Sequence, residues 1–117
     1  MTMGYYSTLY LDCTISNIES LKGFLAEVKL RISSDIAEEW EKELDLLYLD
    51  EDSNLACDDY YAKWYFEEKW IFKIATFLSE AEIEFIGEDS ERWGYLIENG
   101  NAFYAVYQKS KGEELTE

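Results

Sequence analysis

The chain has no histidine and no proline, and only two cysteines in 117 residues. Without histidine the commonest general base is missing, and with it every Ser-His-Asp or Cys-His nucleophile. Cys13 and Cys57 lie too far apart in sequence to read as a zinc or iron pair of the usual spacing. No P-loop is present, and Gly87 and Gly94 do not make a dinucleotide fingerprint. Paired carboxylates remain, as in glycoside hydrolysis, but with 26 acids some pair stands at a working distance by chance. The sequence therefore reads as a non-enzyme, with no catalytic residue, no cofactor and no metal assigned.

Bases are scarce too. Ten lysines and arginines face 26 acids, for a formal charge of −16. The ten are dispersed. A surface of this sign repels nucleic acid and anionic membrane and attracts basic partners. The alternative is solubility alone, since acids keep proteins soluble. No run reaches the roughly 18 apolar residues of a membrane span. The N-terminus MTMGYYSTLYLDC lacks a basic start, a long apolar run and a cleavage site. The expectation is a cytoplasmic protein with two free thiols.

What is abundant is apolar and aromatic surface: 48% hydrophobic residues, with four Trp, ten Tyr and six Phe. That is too much for a disordered acidic tail, and it predicts one folded domain over residues 1–110, with 111–117 a frayed acidic tail. Residues 5–15 alternate, with Tyr5, Ser7, Leu9, Leu11, Cys13 and Ile15 on the inner face of a strand. Ser16-x-x-Glu19 reads as a capping box. Ile18, Leu21, Leu25, Val28 and Ile32 follow at helical steps. Ser33-Ser34-Asp35 breaks that helix. A second follows, with Ile36, Trp40, Leu44 and Leu47 as its apolar stripe and Glu38, Glu39, Glu41, Glu43 and Asp45 opposite. Residues 50–59 are an acidic loop. Trp70, Ile71, Ile74, Phe77 and Leu78 make a further helix ending near Ala81. EIEFIG (82–87) is a strand. Asn99-Gly100 joins two alternating runs as a hairpin. The fold class is α+β: a ferredoxin-like or related sandwich, a mostly antiparallel sheet with two to three helices and a C-terminal β-hairpin.

The chain also resembles a group of small phage and prophage proteins that open with a Tyr-Tyr strand. They continue through a Lys-Trp-Tyr segment, a Gly-Glu stretch, a Trp and an Asn-Gly turn. The matching residues are Tyr5-Tyr6, Lys63-Trp64-Tyr65, Gly87-Glu88-Asp89, Trp93 and Asn99-Gly100. The likeness spans the first strand and roughly the last 55 residues. It implies a ferredoxin-like fold and a mobile-element origin. It implies no chemistry.

The acids cluster. Glu38 to Asp59 carry ten acids and one lysine, net −9 in 22 residues. Within LYLDEDSNLACDDYY, Asp50-x-Asp52-x-Asn54 has the opening spacing of a calcium loop, but Leu55 stands where the loop needs glycine and Tyr61 where it needs a bidentate acid. The cluster is read instead as a partner-binding surface: Glu38, Glu39, Glu41, Glu43, Asp45, Asp50, Glu51, Asp52, Asp58 and Asp59, with Tyr60 and Trp64 as aromatic anchors. On a helix such carboxylates recur at about 5–6 Å, comparable with phosphates along a nucleic-acid strand. The expected function is a small acidic inhibitor, anti-CRISPR-like, that blocks a basic nucleic-acid-binding protein or complex by imitating DNA or RNA. It would bind no nucleic acid itself. Alternatives are an immunity protein neutralising a basic nuclease toxin, and a non-inhibitory homodimer pairing through Tyr5, Tyr6 and Tyr10. A solvated helix face, with Trp40 in the core, is the plain structural reading of the same residues.

Overall fold

The structure is a computed structural model that describes residues 6–57, 61 and 62, 64–106 and 110–116. Strand β1 (Ser7–Ile15) runs into helix α1 (Ile18–Ser33). The cap of α1 is Asn17, whose side-chain oxygen accepts the Ser20 N–H at 3.1 Å. The expected cap lay one residue earlier. Ser16 is held instead by its own N–H, which donates to the Phe77 carbonyl at 2.9 Å.

Helix α2 (Glu39–Leu44) is shorter than the expected helix, because Leu47 already belongs to strand β2 (Leu47–Leu49). β2 pairs antiparallel with β3 (Leu55–Cys57), so the expected acidic loop holds a hairpin. The short strand β4 (Tyr61–Ala62) precedes α3 (Glu67–Ala75). The helical stripe expected to reach Ala81 ends at Ala75. The chain switches to period two at Leu78 and continues as β5 (Leu78–Gly87). A meander of β6 (Arg92–Glu98), β7 (Asn101–Val106) and β8 (Ser110–Glu114) completes the chain.

The main sheet has the order β4-β1-β5-β6-β7-β8, and every pairing in it is antiparallel. The α+β class and the antiparallel sheet stand. The ferredoxin-like connectivity does not: a split βαβ returns the chain parallel to its first strand and leaves a slot between the two. Here the helices deliver β5 directly beside β1, antiparallel, and no slot is left. The Asn-Gly hairpin forms as expected, with Asn99 at φ 50° and Gly100 at φ 84°, the left-handed pair a two-residue turn requires. Gly94 answers a different demand. A Cβ there would lie 2.5 Å from the Ile83 carbonyl oxygen, so only glycine lets β6 come that close to β5.

One face of the sheet carries the core. Leu9, Ile83, Phe85, Tyr95 and Ile97 alternate inward and pack in one core with Val28, Trp70, Ile71 and Ile74 from the helices. Residues 111–116 are not a frayed tail. β8 pairs with β7, the Leu115 N–H donates to the Ala102 carbonyl at 2.8 Å, and the Leu115 side chain is buried. An apolar residue among acids was the missed signal.

Candidate functional site

The acids expected to form one partner-binding surface separate in the fold. Glu38, Glu39 and Asp45 stay at the surface, but each meets a lysine. Glu39 is 3.1 Å from Lys42 and Asp45 is 3.0 Å from Lys29, while Glu38 is 3.9 Å from Lys69. Lys29 comes from α1 and Lys69 from α3, so sequence spacing within α2 did not show them. Asp50 turns onto its own backbone: one carboxylate oxygen accepts the N–H groups of Asp52 and Asn54, both at 2.9 Å. That turn accounts for the Asp-x-Asp-x-Asn spacing without a cation. Glu51 and Asp52 are exposed. Asp58, Asp59 and Tyr60 lie outside the described residues, as do Tyr5 and Lys63.

Glu41 and Glu43 cannot present carboxylates to a partner, because they are 2% and 9% exposed. Six residues of helix wedged between α1 and α3 have covered flanks as well as a covered base. Arg31 at the end of α1 donates to Glu41 at 2.6 Å, and the Glu38 N–H donates to it at 2.8 Å. Burial raises the Glu41 carboxyl, but these two donors outweigh burial and hold it below its ordinary value. Glu43 accepts the N–H groups of Tyr65 and Phe66 at 2.8 and 2.9 Å and the Trp70 indole N–H at 3.2 Å. It supplies from another element the acceptor that the start of α3 lacks. Trp64, expected as an anchor, is 3% exposed and packs on Trp70 and Phe85 at about 6 Å. Trp40 is core, stacked on Phe24.

The acidic surface the fold does assemble lies elsewhere. On the face of the sheet opposite the core, Asp12 of β1 sits directly across from Glu82 of β5, and Glu80 of β5 across from Glu98 of β6. Glu84 follows on β5, opposite Tyr10. Asp12, Glu80, Glu82 and Glu98 are exposed. Along a strand these side chains repeat at about 7 Å, and directly opposite partners stand about 5 Å apart. Like charges directly opposite destabilise a sheet, yet here two such pairs are adjacent. Arg92 lies 3.5 Å from Glu84, and Lys111 lies 2.9 Å from Glu98 and over the Phe103 ring. Between the acids is a shallow depression of about 300 Å³, lined by Asp12, Thr14, Glu80, Glu82, Leu96 and Glu98. Tyr10, half exposed, lies two residues before Asp12 on the same face of β1.

The signal for this face was the run LSEAEIEFIG, read as one strand from Leu78. Stopping a helix at Ala81 hid Glu80 and broke the alternation. Cys13, on the inner side of β1, carries no chemistry: burial, with Asp12 beside it, pushes its thiol up to about 12 and keeps it protonated. Comparison with protein-family models, with curated proteins and with solved structures returned no match.

Proposed function

We propose that this chain is a small protein-binding inhibitor that lays the open acidic face of its sheet on a lysine- and arginine-rich surface of another protein, a surface that otherwise holds a nucleic-acid backbone. The anti-defence, anti-CRISPR-like role belongs to the same reading. The observation that supports it is the pair of acid-on-acid registers, Asp12 with Glu82 and Glu80 with Glu98. Solubility alone does not require acids to oppose acids on neighbouring strands. A cationic partner would turn that repulsion into attraction. A sheet holds these carboxylates at fixed spacing, so little ordering remains to be done on binding. A total charge of −16 would speed encounter with a basic surface.

The test is capture from host lysate by tagged protein, with two variants. One removes charge from the sheet face (Asp12→Asn, Glu80→Gln, Glu82→Gln, Glu98→Gln). The other removes it from the helix side (Glu38→Gln, Glu39→Gln, Glu51→Gln). The expected outcome is a basic nucleic-acid-binding protein held at about 50 mM salt, released at about 500 mM and displaced by DNA. The sheet-face variant loses it and the helix-side variant keeps it. Equal capture by a correctly folded sheet-face variant overturns the reading.

A further inference from the structure

A second concentration of titratable groups surrounds the first turn of α3, on the core side of the sheet. Glu43 reaches it from α2, Glu67 and Glu68 belong to α3, and Tyr95 and Tyr104 come from β6 and β7. Glu113 of β8 acts on Tyr104. Among the described residues, neither Glu43 nor Glu67 forms an ion pair with a lysine or arginine. The two glutamates use their oxygens differently. Both oxygens of Glu43 accept N–H groups. In Glu67, one oxygen accepts the Trp93 indole N–H at 3.1 Å and the Tyr95 hydroxyl at 3.5 Å. The other is buried with no hydrogen-bond partner.

That asymmetry has a consequence for charge. A buried acceptor without a donor is costly, and most costly when it carries charge. Glu67 meets the Trp93 indole and the Tyr95 hydroxyl, with Glu68 beside it and the Glu43 carboxylate close enough to feel its charge. Nothing positive in the described residues offsets an ionised Glu67 except the start of α3 itself, a helix of nine residues. The neutral acid keeps an oxygen for Trp93 and relieves both the desolvation and the repulsion.

We propose that Glu67 is a proton-binding tie between α3 and the sheet: its buried oxygen without a hydrogen-bond partner is where the folded protein binds a proton, and this relieves the cost of holding α3 against β6. Burial raises the Glu67 carboxyl, its own backbone N–H and the donors from Trp93 and Tyr95 pull it back only in part, and Glu68 raises it further. Burial raises Glu43 as well, and the charge of Glu67 adds to that, so each of the two is eased by a proton on the other. Tyr95 is pushed up by burial and by the nearby glutamates, so it stays a donor throughout.

The experiment follows glutamate side-chain carboxyl carbons and tryptophan indole N–H groups by NMR from pH 8 to pH 4. It uses the whole chain, Glu67→Gln and Trp93→Phe. Glu67 should titrate above the ordinary carboxyl value of 4.5. The Trp93 indole signal should move with it, and Glu67→Gln should abolish that movement. Trp93→Phe leaves the carboxylate with one donor fewer, so its Glu67 titration should rise further. Titration of Glu67 at or below 4.5 overturns the proposal, as does an unchanged Trp93 response in Glu67→Gln. If Glu67→Gln does not fold, the Glu67 titrations of the whole chain and of Trp93→Phe decide alone.

Discussion

At the scale of single residues, the glutamates of α2 do opposite jobs within a few positions. Glu39 is solvated and meets a lysine on its own helix, while Glu43 is buried and holds the start of another helix. The cost of removing each should differ accordingly. Glu43→Ala leaves two backbone N–H groups and an indole N–H without an acceptor, and opens a small void beside Trp70. The expected loss is about 2–4 kcal/mol of unfolding free energy. Glu43→Gln keeps one oxygen but turns an NH₂ toward the same donors, and should lose about 1–3 kcal/mol. Glu39→Ala should stay within about 0.5 kcal/mol of the native protein. Urea midpoints of the three variants check this. A Glu43→Ala protein as stable as Glu39→Ala would show that the α2–α3 clamp contributes nothing.

At the scale of elements, the places where sequence reading succeeded and failed have a common cause. The first strand, α1 and the Asn-Gly hairpin were legible because each is specified locally: by alternation, by steps of three and four, and by two residues that accept positive φ. The β2–β3 hairpin and the end of α3 were not. Leu47 fits the stripe of a helix as well as the start of a strand, and only pairing with Cys57 decides it. The candidate site was half legible. Net charge announced an acidic surface, but the fold decided which acids it gathers on one face. Lys29, Arg31 and Lys69 neutralise or bury the helical ones, while the register of β1, β5 and β6 gathers Asp12, Glu80, Glu82 and Glu98. The last strand gives a test at this scale. β8 looks like a charged tail in sequence, yet Leu115 fills a core position. Truncation after Gln108 should uncover the edge of β7 and the site under Leu115, and should lower stability clearly, with Leu115→Ala alone costing about 2 kcal/mol or more. A frayed tail could be cut with no change in the denaturation midpoint.

At the scale of the whole molecule, charge and burial combine to set an unusual dependence on pH. Many proteins lose stability on acidification because their carboxylates are paired in the fold. Glu41 behaves that way: its value is lowered, so the stability it gives is present above the ordinary 4.5 and lost as pH falls through its folded value. Glu43 and Glu67 behave oppositely. Their folded values are raised, so their contribution is fully present below 4.5 and lost as pH rises through the higher folded values. The sixteen excess negative charges add to this, since protonation relieves self-repulsion on the way toward the isoelectric point near 4.2. The window in which Glu43 and Glu67 protonate lies above 4.5, and the window in which Glu41 protonates lies below it. Stability should therefore rise as pH drops from neutral toward the ordinary carboxyl value of 4.5, and fall only once Glu41 and Arg31 part. Salt separates the two contributions. Raising ionic strength to about 0.5 M at neutral pH should recover the part owed to exposed acids, because screening acts over their separations. It should leave most of the part owed to the buried pair. Urea midpoints at the two pH values, at low and high salt, for the native chain and Glu67→Gln, make the measurement. The gain on acidification should persist at high salt in the native chain and shrink in Glu67→Gln. If high salt erases it in both, surface repulsion alone governs the response, and the buried glutamates have no part in it.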